Sequence, residues 1–200
     1  MRVQTTTTTS SKSFMLGVFC SERCPSFIVL DALDVASAIR DADLSVISGF
    51  QSPVERECLG VFLRGSAHVV VCPARSAIGM RIPSAWKPAI AAGILSIRSA
   101  IDEGFEANSG AVHHRQAPRR PTTALAEHRN RFVASISDSV LVIHASPGGK
   151  LERLVQQLLA QGKPVWTLDH PDNAHLIGRG ARQLGTSDPS AVWRPLGDNG

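Results

Sequence analysis

Short apolar runs, most of them rich in valine and isoleucine, separated by longer stretches with helical periodicity, constrain this chain more than any other feature. The runs are Phe14 to Phe19, Leu44 to Ser48, His68 to Cys72, Ile94 to Ile97, Ser139 to His144 and Val165 to Leu168. Most are continuously apolar rather than alternating, which is the pattern of strands buried on both faces. Between them the spacing predicts helices over Phe27 to Arg40, Val54 to Phe62, Trp86 to Ala92, Thr123 to Ser135 and Leu151 to Gln161. In the last, Leu151, Leu154, Val155, Leu158 and Leu159 form one stripe, and Gly162 and Pro164 mark the stop. Strands alternating with helices predict an α/β fold, a parallel sheet covered by helices on both sides.

Hydrophobic residues at 43% and charged residues at 19% place the chain among globular rather than disordered sequences. Its 200 residues suit one folded domain over 14–200, preceded by a disordered Thr/Ser-rich tail over 1–13. No apolar run reaches the ~18 residues of a membrane-spanning helix, so no membrane role is expected. The start carries no apolar segment of the secretory kind, which makes the cytoplasm the expected location. Cys20, Cys24, Cys58 and Cys72 lack paired C-x-x-C spacing and read as reduced, packed thiols rather than metal ligands. One stretch breaks the pattern. Residues 104–121 carry His113, His114, Arg115, Arg119 and Arg120 among Gly, Pro, Asn and Ser, and read as a flexible basic loop. Lys and Arg total 21 against 17 for Asp and Glu, a mild excess that permits a polyanionic partner without demanding one.

In open parallel sheets ligands bind beyond the carboxyl ends of the strands, so the residues that follow each strand are the candidates. After the fifth run comes Ser146-Pro147-Gly148-Gly149-Lys150, leading into the amphipathic helix. Ser146 is expected to cap that helix and Pro147 to sit in its first turn. Gly148 and Gly149 let a ligand approach the backbone, and the free N–H groups with Lys150 favour a phosphate. Upstream, Arg129 falls in the apolar stripe of its helix with His128, so it must either face a polar cavity or pair with a carboxylate such as Glu127 or Asp138. An arginine fork suits phosphate oxygens, and Arg131 adds charge nearby. Ser48 and Gly49 end the second run and form the wall expected to face this loop. No G-x-S-x-G, H-E-x-x-H, Walker or G-x-G-x-x-G motif occurs, so no catalytic residue, metal or cofactor is assigned.

Ser48-Gly49, Arg129-Asn130-Arg131-Phe132 and the segment from Asn173 to Ala181 (NAHLIGRGA) together resemble the DNA-processing protein A (DprA/Smf) family. The resemblance spans roughly Phe14 to Ala181 and implies a Rossmann-like domain of the SLOG superfamily. It further implies binding of single-stranded DNA. The residues expected to hold that strand or a nucleotide are Ser48, Gly49, Arg129, Arg131, Ser146, Gly148, Gly149 and Lys150, although the loop after the fifth run departs from the family's Ser-Gly-Ser-rich one. The implied setting is DNA uptake and recombination, with a recombinase as partner; a homodimer is one assembly the chain could form.

Pro147-Gly148-Gly149 and Arg129 also resemble the LOG-type nucleoside-monophosphate phosphoribohydrolases of the same superfamily. Continuing their loop register places Val155 where the catalytic glutamate belongs, and valine offers no proton. Glu152 and Glu55 are the nearby carboxylates, and each reads as a solvent-facing helix charge. The expectation is a binding protein rather than an enzyme, with the hydrolase or a nucleotide sensor as the alternative.

Overall fold

The computed structural model describes residues 13–103 and 120–193. The Thr/Ser-rich stretch and most of the basic loop, residues 104–119, lie outside them. The element order is β1 (Met15–Cys20), α1 (Ser26–Ile39), β2 (Ser45–Ser48), α2 (Pro53–Phe62), β3 (His68–Val71), α3 (Lys87–Ala91), β4 (Leu95–Ile97), α4 (Thr123–Ile136), β5 (Ser139–His144), α5 (Lys150–Ala160), β6 (Val165–Leu168), α6 (Ala174–Ile177) and β7 (Arg182–Leu184). The strands form one sheet in the order β4-β3-β2-β1-β5-β6-β7, and every neighbouring pair is parallel. This is the α/β, Rossmann-like architecture that the alternation predicts.

Side-chain alternation along the strands feeds two cores, one on each face of the sheet. Leu16 and Val18 of β1, with Leu141 and Ile143 of β5, pack on Ile28, Val35 and Ile39 of α1 and Phe62 of α2. Phe19, Val140 and Val142 point the other way, onto Val133 of α4 and Leu154, Val155 and Leu158 of α5. Burying each such side chain is worth about 1.5–3 kcal/mol, so both faces must be covered for the strands to be stable.

The periodicity locates five of the labelled helices and six of the strands to within a residue or two. It misses β7. That strand lies at the sheet edge, and of its residues Arg182, Gln183 and Leu184 only Leu184 is buried. Arg182 instead lays its guanidinium over the Trp166 ring, 5.4 Å from the ring centroid. An edge strand with polar side chains leaves no apolar run to read.

Candidate functional site: a cleft at the carboxyl edge of the sheet

The chain leaves β1 toward β2 and leaves β5 toward β6, in opposite directions across the sheet. Where neighbouring strands diverge in this way, the loops after them part and open a crevice. A cleft of about 500 Å³ lies there. One wall is the loop Cys20-Ser21-Glu22-Arg23 after β1, and a second is Gln51, Ser52 and Glu55 at the start of α2. Arg129 and Asn130 of α4 and Ser146, Gly149, Lys150 and Leu151 complete it.

The loop after β5 is a tight turn before it is a helix cap. The Gly149 amide donates to the Ser146 carbonyl at 2.9 Å, with Pro147 and Gly148 at the corner and Gly148 at φ +70°. These are the corner positions that proline and glycine favour in a turn with a left-handed second residue. The expectation for Ser146 and Pro147 is therefore corrected. Gly149 is the N-cap, Lys150 is the first helical residue, and no side chain caps α5. The reason is that the turn uses the Ser146 carbonyl to close itself, which displaces the helix start by three residues. The Ser146 amide donates to Ser21 Oγ at 3.0 Å and so ties the β1 and β5 loops together. With the first intrahelical bond running from Arg153 to Gly149, the amides of the first turn are left without a helical acceptor.

Glu152 does not face solvent, as the sequence suggested. It is 5% exposed, accepts from the Gly148 amide at 2.6 Å and from Arg179 Nε at 3.2 Å, and so stiffens the turn from beneath. Glu55 is buried likewise. Its Oε1 accepts from the Cys20 amide at 2.9 Å, and its Oε2 from Gln51 at 2.8 Å and Ser52 at 3.3 Å. Ser52 Oγ in turn accepts from the Glu55 amide at 3.2 Å, a reciprocal capping box. Burial pushes the Glu55 carboxyl up from its usual range, against the pull of those amides and of Arg129. The two helix N-termini at the cleft thus differ: α2 is closed by its own side chains, whereas α5 is open.

Arg129 is buried at the crevice floor, 5% exposed. It pairs with neither Glu127 nor Asp138. Glu127 bonds Lys150 at 2.7 Å, and Asp138 accepts from the Met15 amide at 2.8 Å. Instead Arg129 Nη1 donates to the Cys72 carbonyl at 3.0 Å, Nη2 to Gln51 Oε1 at 3.2 Å and Nε to Asn130 Oδ1 at 2.7 Å. Desolvation pulls its pKa down and Glu55 pulls it up, so the buried cation sits in the field of a buried carboxyl. His128, placed beside it in the sequence stripe, is exposed. At Gly49 a Cβ would lie 1.2 Å from Arg129 Nη1, so the missing side chain is the space that the guanidinium fills.

Of the sequence-predicted residues, Arg129, Ser146, Gly149 and Lys150 border the cleft. Ser48 is fully buried beneath it and accepts from the Phe50 amide at 3.3 Å. Gly49 lies under Arg129, and the next residue, Phe50, holds φ +49° to turn the chain toward α2. Arg131 lies apart from the cleft, beside Lys150 and Arg153 between α4 and α5. The sequence reading omits Arg23, Gln51 and Asn130, whose only signal is their position after a strand or next to Arg129. The four cysteines are free thiols. Cys20, at the cleft wall, is held up by its hydrogen bond with Cys24 and by burial, so it presents a neutral thiol there. Chemically the arrangement suits an anion: Arg23, Arg129 and Lys150 line the cleft with a single further carboxylate, Glu22, among the described residues, and the buried Glu55 carboxyl accepts from three backbone donors.

No family model matches the chain, and no curated protein matches it in sequence. Solved structures do match in fold. DNA processing protein A (DprA) from Streptococcus pneumoniae aligns with a TM-score of 0.68 at 15% identity, over 92% of this chain and 62% of its own. DNA processing protein A from Helicobacter pylori, solved for its single-stranded DNA binding mode, aligns at 0.63 and 14%, over 90% of this chain and 78% of its own. The molybdenum cofactor binding protein from the phototrophic bacterium Rippkaea orientalis aligns at 0.60 and 14%, over 91% of this chain and 95% of its own. The fold is DprA-like, and the chain spans less than two thirds of the length of the S. pneumoniae protein. Among the described residues no helix is long and apolar enough to cross a membrane.

Proposed function

We propose that this chain binds single-stranded DNA by its phosphates in the carboxyl-edge cleft, as a DprA-like module in DNA uptake or recombination. The observation that carries the reading is the uncapped first turn of α5, which opens with Lys150 into a cleft at the divergence of β1 and β5. A helix N-terminus of this kind favours an anion through its free amides and its dipole. Gly149 and Lys150 hold the phosphate, Arg23 faces them, and Arg129 supplies charge from the floor. Ser146 and Gly148 shape the turn, and Ser48 and Gly49 support Arg129 from below. Among the described residues Phe19 is the one aromatic on the cleft wall, so backbone contacts rather than base stacking supply the affinity. Loading of a recombinase and self-association belong to this reading as its functional setting.

A second reading, a small nucleotide-like ligand, is favoured by length: the chain covers 95% of the Rippkaea orientalis cofactor-binding protein. The test is the salt dependence of binding to a labelled oligothymidylate. Affinity should fall with salt at a log–log slope of about 0.7 per phosphate contact, and Lys150→Ala should lower that slope by about 0.7. A folded Lys150→Ala protein with an unchanged slope refutes the role of α5. Mononucleotide binding as tight as that of the oligomer establishes the second reading instead.

A further inference from the structure

The cleft continues past Lys150. Lys150 and Asn130 also border a smaller hollow of about 110 Å³ between α4 and α5, where Arg131, Arg153, Glu127 and Gln157 supply the polar walls. Among the described residues three cations therefore meet one carboxylate at this place. Arg131 and Arg153 are exposed, and Arg153 Nη1 is steadied on the Gly148 carbonyl at 2.9 Å. That bond links the hollow to the turn that shapes the main cleft. The volume is well below the ~300 Å³ at which pockets begin to enclose drug-sized ligands, so the hollow suits an anionic group and not a nucleoside. Guanidinium forks on two sides match the oxygens of a phosphate.

We infer that this hollow is a second phosphate subsite, and that the ligand is a strand whose backbone crosses Lys150 from the cleft to Arg131 and Arg153. The inference rests on the reading of the cleft and deepens it, because a single nucleotide has no second backbone phosphate to place there. Lys150 is the shared group. Its ammonium bonds Glu127 Oε1 at 2.7 Å, with the side chains 53% and 39% exposed. Exposed pairs of this kind are weak, so an arriving phosphate displaces the carboxylate from Lys150. Lys150 also holds the Glu127 carboxyl below its usual range, which keeps Glu127 charged and in competition with the phosphate.

The test uses the full chain, a labelled oligothymidylate of about twenty nucleotides and unlabelled thymidine monophosphate as competitor. In the Arg131→Gln/Arg153→Gln double variant the salt slope for the oligomer should drop by about 0.7, one phosphate contact, while competition by the mononucleotide stays at its wild-type level. The charge-neutralising variant Glu127→Gln should bind the oligomer about 1.5- to 5-fold more tightly, a gain that misfolding cannot produce. The subsite is refuted if the double variant, folded by circular dichroism, keeps the wild-type slope while Lys150→Ala still lowers it. Equal weakening of oligomer and mononucleotide also refutes it, since the arginines then serve the cleft itself. Wild-type protein that shows no salt-dependent binding overturns the cleft reading and this inference together.

Discussion

Gly49→Ala isolates the buried arginine at the crevice floor. The backbone at Gly49 lies outside the left-handed region, so alanine brings no torsional penalty there, only a Cβ at 1.2 Å from Arg129 Nη1 and 2.0 Å from Cζ. The guanidinium must leave. Its bond to the Cys72 carbonyl, at 3.0 Å, joins a charged donor to a buried acceptor, and losing it costs about 1.5–3 kcal/mol. Gln51 is exposed and Asn130 half-buried, so water replaces most of what they lose, and each adds about 0.5 kcal/mol at most. The expected destabilisation is about 1.5–4 kcal/mol. A double-mutant cycle with Arg129→Ala, read by urea unfolding, separates this cause from others. Once Arg129 is truncated the Cβ has room, so Gly49→Ala should cost less than about 0.5 kcal/mol in that background. Additive costs in the cycle would show that the glycine serves the backbone and not the arginine, and would refute the argument.

Two further substitutions test other parts of the framework. Burial lowers the pKa of His144, whose Nδ1 lies 3.1 Å from Asn173 Oδ1, with Asp172 pulling upward and His175 and His170 pushing downward. The unfolded chain therefore takes up the proton first, so the stability from this group is complete above about pH 6.5 and falls as the pH drops below it. In His144→Gln that acid-side slope should shrink, and unfolding curves with the same pH dependence as wild type would refute the assignment. Val155→Glu places a carboxylate at a position with 0% exposure, among Val133, Val140 and Leu158. An unpaired charge there should cost several kcal/mol and lower the melting temperature by about 10 °C or more, whereas a midpoint within about 2 °C of wild type would show that the side chain escapes the core.

The strands and their parallel arrangement are legible in the sequence because burial on both faces demands continuous apolar runs, and SVLVIH and VWTL answer that demand by themselves. The position of the candidate cleft follows from the same reasoning, since the Pro-Gly-Gly turn after β5 is a local feature with a local cause. What lies beyond the local chain is not legible. Ser146 has the chemistry of a helix cap, yet its carbonyl closes a turn and its amide is engaged by Ser21, more than a hundred residues earlier in sequence. Glu152 and Glu55 occupy helix positions that read as solvent-facing, and tertiary packing buries both on backbone amides. Arg129 shows the division most plainly. Sequence periodicity requires that a buried arginine find partners. Only the packing of α4 across the ends of β2 and β3 supplies them, a carbonyl after β3 and the empty space of Gly49 after β2. Periodicity is a property of neighbours along the chain, whereas the partner of a buried charge is set by which strand ends the sheet order brings together.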